Sequence, residues 1–325
     1  MLVMGLAAYP MNLAAANNGK SVRKSTQLSN KNASPEARKL YKELLKYNAD
    51  GKILSGQMLA PWGIDEIEYI FTTTGKYPAV RGHDLILENN NAREIELLIE
   101  WYRRGGIPTL MWHWGAPTKG EGYEQSKMKI DIKQCFVEGT PENKAMWEDL
   151  KRIAHWLKIL HDAKVPVLWR PMHEFDGDWF WYGKGTGEDF CKLWRIVYNY
   201  YTHECGFDNL IWVLPHSTEF KASFNPGRDY YDIAGVDTYD QERQELLYRE
   251  IEKEHGKENV LIPLHECGTL PNPDECVANG VMWSWWMLWH TTWATDHDKK
   301  ELKRIYNHDA VLTFDELDRV KKSKK

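Results

Sequence analysis

The sequence predicts a single (β/α)8 barrel. Three observations predict it: eight short apolar runs, helix-periodic or polar stretches between most of them, and a polar, proton-handling side chain closing most runs. Strands buried on both faces read as continuous apolar runs, and eight strand-helix units in one chain of 325 residues suit a closed barrel. A doubly wound open sheet is the competing arrangement. No glycine-rich phosphate loop follows the first run, which weakens a nucleotide-binding version of it.

The eight runs are Lys52–Met58, Tyr77–Ile86, Ile107–Gly115, Val165–Glu174, Leu210–Ser217, Tyr231–Tyr239, Val260–Gly268 and Val281–Trp289. Helical periodicity marks Ile64–Thr74, Ala92–Arg104, Pro141–Ala163, Glu188–Cys205 and Glu242–Gly256. Connections after the fifth and seventh runs are shorter and less clearly helical. The polar stretch Ala116–Thr140 lacks a clear helix and is expected to form an extended third loop over the cleft. No linker, repeat or low-complexity segment interrupts residues 34–320, so one catalytic domain is expected there. Residues 1–16 are apolar and rich in small side chains, like the remnant of a signal peptide without its basic start. Secretion, or export to a periplasm, is the corresponding expectation.

A net charge of -5 gives no electrostatic reason to bind nucleic acid. No run is long and apolar enough to span a membrane. The five cysteines fit no metal-ligand spacing and no disulfide framework, although Cys267 and Cys276 stand close enough to pair across a loop. Histidines are scattered over different strands without ligand spacing, so neither a metal nor another cofactor is expected. No Gly-x-Ser-x-Gly elbow points to a serine nucleophile. Nothing in the chain calls for an oligomer, and a monomer is expected.

In a barrel, catalytic groups sit at the C-terminal ends of strands. The ends here carry His83-Asp84, His113-Trp114, His173-Glu174, His216, Asp237 with Tyr239, and His265-Glu266. Glu174 closes the fourth run and Glu266 the seventh, which face one another across a barrel mouth. Two carboxyl groups aimed into one cleft are the machinery of glycoside hydrolysis, with a separation of about 5–5.5 Å for retention of configuration and about 6.5–9.5 Å for inversion. Trp179, Phe180, Trp181 and Tyr182 follow Glu174 directly and are expected to offer stacking surface to a sugar ring. Arg170 shares Glu174's side of the strand by alternation, deeper in the barrel, where it would keep a neighbouring carboxylate ionised.

The segment "RPMHEFDGDWFWYG" resembles the acid/base segment of glycoside hydrolase family 26, whose best-known members are endo-β-1,4-mannanases. The likeness extends through "YPAVRGHDL", "GIPTLMWHW", "LIWVL", "YYDIAGVDTY", "IPLHECG", "WSWWMLWHTTW" and "YNHDAVLTFDEL", covering about residues 34–320. It implies a retaining double displacement on mannan, glucomannan or galactomannan, with Glu174 as acid/base and Glu266 as nucleophile. It further implies that His173 contacts the reacting sugar, Tyr239 hydrogen-bonds the nucleophile, and Trp179 and His113 contact substrate. By the same resemblance Trp285 is the aromatic floor beneath the cleaved sugar. Phe175-Asp176 replaces a frequent Met-Asn, Tyr182 replaces Trp, and His265 stands where Thr or another small residue is common. These departures leave the chemistry intact but bear on substrate preference. Action on β-1,3-xylan or mixed-linkage β-glucan, exo-acting release of mannooligosaccharides, and a non-catalytic carbohydrate-binding barrel are the alternatives.

Overall fold

A computed structural model describes residues 27–62, 64–256 and 261–323. Residues 1–16, including the signal-like stretch, lie outside the described residues, as does Val260 at the start of the seventh run. Eight parallel strands close into a barrel. They are β1 (Gly56–Met58), β2 (Val80–Asp84), β3 (Ile107–Trp112), β4 (Val167–Pro171), β5 (Leu210–His216), β6 (Ile233–Thr238), β7 (Leu264–Cys267) and β8 (Trp286–Leu288). Each pairs with its neighbours in chain order, and Gln57 against Leu288 closes the ring. Every residue of these strands is buried. That is why the strands read as apolar runs rather than alternating ones.

The first predicted run is split. Ile53–Leu54 leaves the barrel to pair with Val311–Leu312 in a separate two-stranded sheet. Ser55 makes the join, its backbone and hydroxyl both donating to the carbonyl of Leu312 at 3.0 Å. Gly56 then enters the barrel so close to β8 that a Cβ would lie 2.2 Å from the carbonyl oxygen of Trp286.

Local chemistry sets the helix ends. Ser34, Asp65, Thr140 and Thr186 cap the helices Pro35–Ala49, Glu66–Thr74, Pro141–Asp162 and Gly187–Asn199, with proline opening the first and third. The helix Glu88–Arg103 begins four residues before its predicted start. Its preceding residue, Leu87, offers no cap; instead Glu121, from the long third loop, accepts from the Glu88 N–H at 2.8 Å. The amphipathic helix Pro35–Ala49, absent from the sequence expectation, packs Leu40, Tyr41, Leu44 and Tyr47 into the same apolar cluster as Leu168, Ile211 and Ile233. The long third loop contains a short helix at Tyr123–Ser126 and a 3-10 turn at Ile132–Phe136. After β7 a seven-residue helix, Pro273–Asn279, completes the connection.

All five cysteines are free thiols, so Cys267 and Cys276 do not pair. Among the described residues, no helix is long and apolar enough to cross a membrane. Ten of the sixteen tryptophans are fully buried and belong to the packing.

Candidate active site

At the C-terminal mouth, Glu174, Asp237 and Glu266 offer carboxylate oxygens that all lie within 4.8 Å of one another. Glu266 sits in β7 and Asp237 in β6, where the two residues are register partners. Glu174 arrives differently. Strand β4 ends at Pro171, and Met172 and Glu174 both adopt the left-handed region, with φ of 51° and 52°. Each such residue costs about 1–3 kcal/mol and persists only where its surroundings hold it. The alternation expected between Arg170, Met172 and Glu174 therefore stops at the strand end, and a turn delivers Glu174 to the cleft. Its N–H donates to the carbonyl of Pro215 at 2.9 Å, fastening the turn to β5.

The two glutamates have different partners. Arg170, on β4 and almost fully buried, donates from one terminal nitrogen to Glu266 Oε2 at 2.8 Å and also to Asp237. Tyr239 donates its hydroxyl to Glu266 Oε1 at 2.8 Å. His265 Nδ1 lies 2.7 Å from Asp237 Oδ1. The Glu174 carboxylate accepts from Trp179 Nε1 at 2.6 Å. Burial raises the carboxyl of Glu174 well above its ordinary value, and Glu266 and Asp237 add to the effect. Burial also raises Glu266, with Asp237 adding and Arg170 opposing. Burial works against the charge of Arg170, yet Asp237 and Glu266 outweigh it and hold the guanidinium above its ordinary value. Of the three carboxyls, Glu174 is the one without a cationic hydrogen-bond partner. A single shared proton belongs there by simple electrostatics.

Two cavities meet at this point. One, of 520 Å³, runs past His113, His173, Glu266 and Trp289 to an outer rim of Trp62 and Trp293. The other, of 810 Å³, continues past Trp179, Thr218 and Asp240. Glu174, Tyr239 and Tyr123 line both. Asp84 accepts from the backbone N–H of His113 at 3.0 Å and pairs with its Nδ1, which orients the ring and leaves Nε2 for a ligand. The His173 ring packs edge-on to His113 with centroids 4.3 Å apart. Burial, followed by His113, holds His173 well below its ordinary value, so it is neutral.

The structure corrects two expectations about aromatics. Trp285 lines neither cavity. It is 1% exposed and packs in the barrel interior, because it precedes β8 and its ring turns toward His265. Trp289, one residue beyond the strand, lines the cavity instead. Of the four aromatics after Glu174, only Trp179 is partly open to solvent; Phe180, Trp181 and Tyr182 are buried. Phe180 still lines the smaller cavity beside His113 and His173, whereas Trp181 and Tyr182 line neither cavity and support the site from beneath. Trp181 Nε1 donates to the carbonyl of Trp114 at 2.8 Å, and Tyr182 donates to the carbonyl of His173 at 2.9 Å. Asp84, Asp237, Tyr123, Trp62, Trp289 and Trp293 complete the site beyond the predicted residues. Asp84 and Asp237 already stood among the strand-end polar residues. Asking what neutralises Arg170 would have singled out Asp237. Gly268 makes room for this wall, since a Cβ there would lie 2.6–2.7 Å from Trp293 and Tyr239.

The profile of Glycosyl hydrolase family 26 matches residues 29–316. The chain belongs to glycosyl hydrolase family 26. Mannan endo-1,4-beta-mannosidase B of Piromyces sp is 33% identical over 326 residues, covering 93% of this chain and 56% of that protein. The chain thus spans about half the length of that curated relative. A beta-mannanase from a symbiotic protist of the termite Reticulitermes speratus, solved with gluco-manno-oligosaccharide, superposes with a TM-score of 0.80 at 29% identity, covering 91% of this chain and 98% of that one. The Podospora anserina GH26-CBM35 beta-(1,4)-mannanase gives 0.79 at 31% identity, covering 90% and 69%.

Proposed function

We propose that the protein is a retaining endo-β-1,4-mannanase with Glu174 as acid/base and Glu266 as nucleophile. The observation that carries this reading is that a carboxylate oxygen of Glu174 lies within 4.8 Å of one of Glu266, on the short side of the two separations, which goes with direct attack by a carboxylate rather than attack through an activated water. The names of the family relatives supply the substrate class.

Glu266, held ionised by Arg170 and Tyr239, attacks the anomeric carbon of a β-linked mannosyl unit. Glu174 gives its proton to the departing glycosidic oxygen. Forming the glycosyl ester removes the negative charge of Glu266. One of the interactions that raised Glu174 then vanishes, and its carboxylate becomes a base for the incoming water. Water attacks the anomeric carbon, Glu266 leaves as carboxylate, and the product keeps the β configuration. His113 and His173 face the same cavity as Glu266 and would hold the sugar hydroxyls.

The shape of the cleft supports endo action. Cavities lie on both sides of Glu174 and Tyr239, so a chain has room to continue in both directions from the cleaved bond. Reducing-sugar release from β-mannan, glucomannan, β-1,3-xylan and mixed-linkage β-glucan tests the reading. Mannan-type polymers are expected to be cut into mixed-length oligosaccharides, and Glu174→Ala and Glu266→Ala to abolish the cutting. Near-wild-type turnover in either variant would refute the roles.

A further inference from the structure

Beneath the turn that carries Glu174 lies a chain of buried polar side chains that the double displacement does not use. Asp176 Oδ2 meets His216 Nδ1 at 2.6 Å, His216 Nε2 meets His255 Nε2 at 3.0 Å, and His255 Nδ1 meets the Tyr231 hydroxyl at 2.7 Å. All four residues are buried, Asp176 and His216 completely. Asp176 also accepts the backbone N–H of Ser217 at 2.7 Å and of Lys221 at 2.9 Å. With three donors converging on it, Asp176 stays a carboxylate. Burial opposes that charge, but His216 and the two N–H groups outweigh it and hold the carboxyl below its ordinary value. The facing Nε2 atoms of His216 and His255 share a single proton, so neither ring can turn without breaking the chain.

The placement matters because of the neighbouring backbone. Asp176 stands two residues after Glu174, and His216 follows Pro215, whose carbonyl accepts the Glu174 N–H. The strained turn is therefore fastened to the end of β5 by that bond and by the three donors on Asp176. Phe175, between them, packs on Phe190 at 4.3 Å and on His216 at 4.6 Å, so the intervening side chain points away from the cleft. Thr218, in the segment between the two N–H donors, lines the cavity beside Trp179.

We propose that Asp176 and His216 are positioning residues for the acid/base. Their clamp holds the left-handed turn and thereby sets the reach of the Glu174 carboxyl to the glycosidic oxygen. This rests on the acid/base reading of Glu174. Losing the clamp impairs proton donation to the leaving group and proton removal from water, but leaves attack by Glu266 intact.

The test compares β-mannan with 2,4-dinitrophenyl β-mannobioside, whose leaving group needs no proton, with and without sodium azide. Azide attacks the anomeric carbon of the glycosyl-enzyme without base assistance and displaces Glu266 as carboxylate, giving β-mannobiosyl azide. Glu174→Ala is the benchmark. For Asp176→Ala and His216→Ala, kcat on mannan is expected to fall roughly 10- to 100-fold, the scale of a small misplacement of a reacting group. The initial burst of dinitrophenolate is expected to survive, and azide to accelerate turnover and yield the glycosyl azide. His216→Asn, whose amide nitrogen overlays Nδ1, is expected to recover part of the mannan activity. If the alanine variants do not fold, Asp176→Leu, similar in shape but without an acceptor, carries the same comparison. Equal losses on both substrates without an azide effect, or no loss at all, would overturn the proposal. If Glu174→Ala is rescued by azide and the clamp variants are not, only the clamp is wrong. If Glu174→Ala itself is not rescued, the acid/base reading fails and the clamp with it.

Discussion

Arg170 donates to Glu266 at 2.8 Å, whereas Glu174 has the indole of Trp179 as its hydrogen-bond partner. That difference favours the ionised form at Glu266 and leaves the protonated form to Glu174, as the proposed roles require.

Activity is therefore expected to follow a bell in pH. On the proposed roles the acidic limb reports Glu266, which must be ionised, and the alkaline limb reports Glu174, which must be protonated. Burial raises both groups, Glu174 with the further push of Glu266 and Asp237, so both limbs lie above an ordinary glutamate value of about 4.3. Tyr239→Phe removes a donor that favours ionised Glu266. The acidic limb of kcat/KM is expected to move to higher pH, and kcat to fall roughly tenfold or more, as for loss of one charge-stabilising donor. An unmoved acidic limb would show that the Tyr239 hydroxyl does not act on Glu266.

Trp179→Phe acts on the other limb. The indole N–H bonds Glu174 and lowers its pKa, so removing it raises the pKa and extends the protonated state upward. The alkaline limb of kcat/KM is expected to shift to higher pH even as kcat/KM declines from the loss of indole surface on the cavity wall. A downward shift would contradict the assignment.

Two tryptophans in one short segment separate packing from binding. Trp285→Ala is expected to destabilise the fold by about 3–5 kcal/mol, the range for truncating a large aromatic core side chain, and to lower the thermal midpoint. Trp289→Ala is expected to change the midpoint less and to reduce kcat/KM on mannooligosaccharides. Thermal unfolding beside steady-state kinetics distinguishes them, and an exchange of the two effects would refute the placement.

The barrel was legible because strands buried on both faces leave apolar runs, and because proton-handling residues collect at one end of them. Glu174 and Glu266 were legible for that second reason. Asp237 was visible as a strand-end residue but not as the partner of Arg170, since the pairing joins neighbouring mouth positions from different strands. Trp181 and Tyr182 were misread as stacking surface because a turn has no periodicity to say which side chains face inward, whereas Trp179 and Phe180 do line the cavities. Trp285 was confused with Trp289 because β8 is only three residues long, too short for alternation to fix the register of "WSWWMLW". The early start of the helix Glu88–Arg103 was hidden because its donor is satisfied by Glu121, from a distant loop.

The most direct test of the central claim is the anomeric configuration of the first product, followed by proton NMR during hydrolysis of a mannooligosaccharide before mutarotation. The β anomer is expected to appear first, with the α form growing only later. Initial appearance of the α anomer would mean single-step inversion and would contradict the roles given to Glu174 and Glu266.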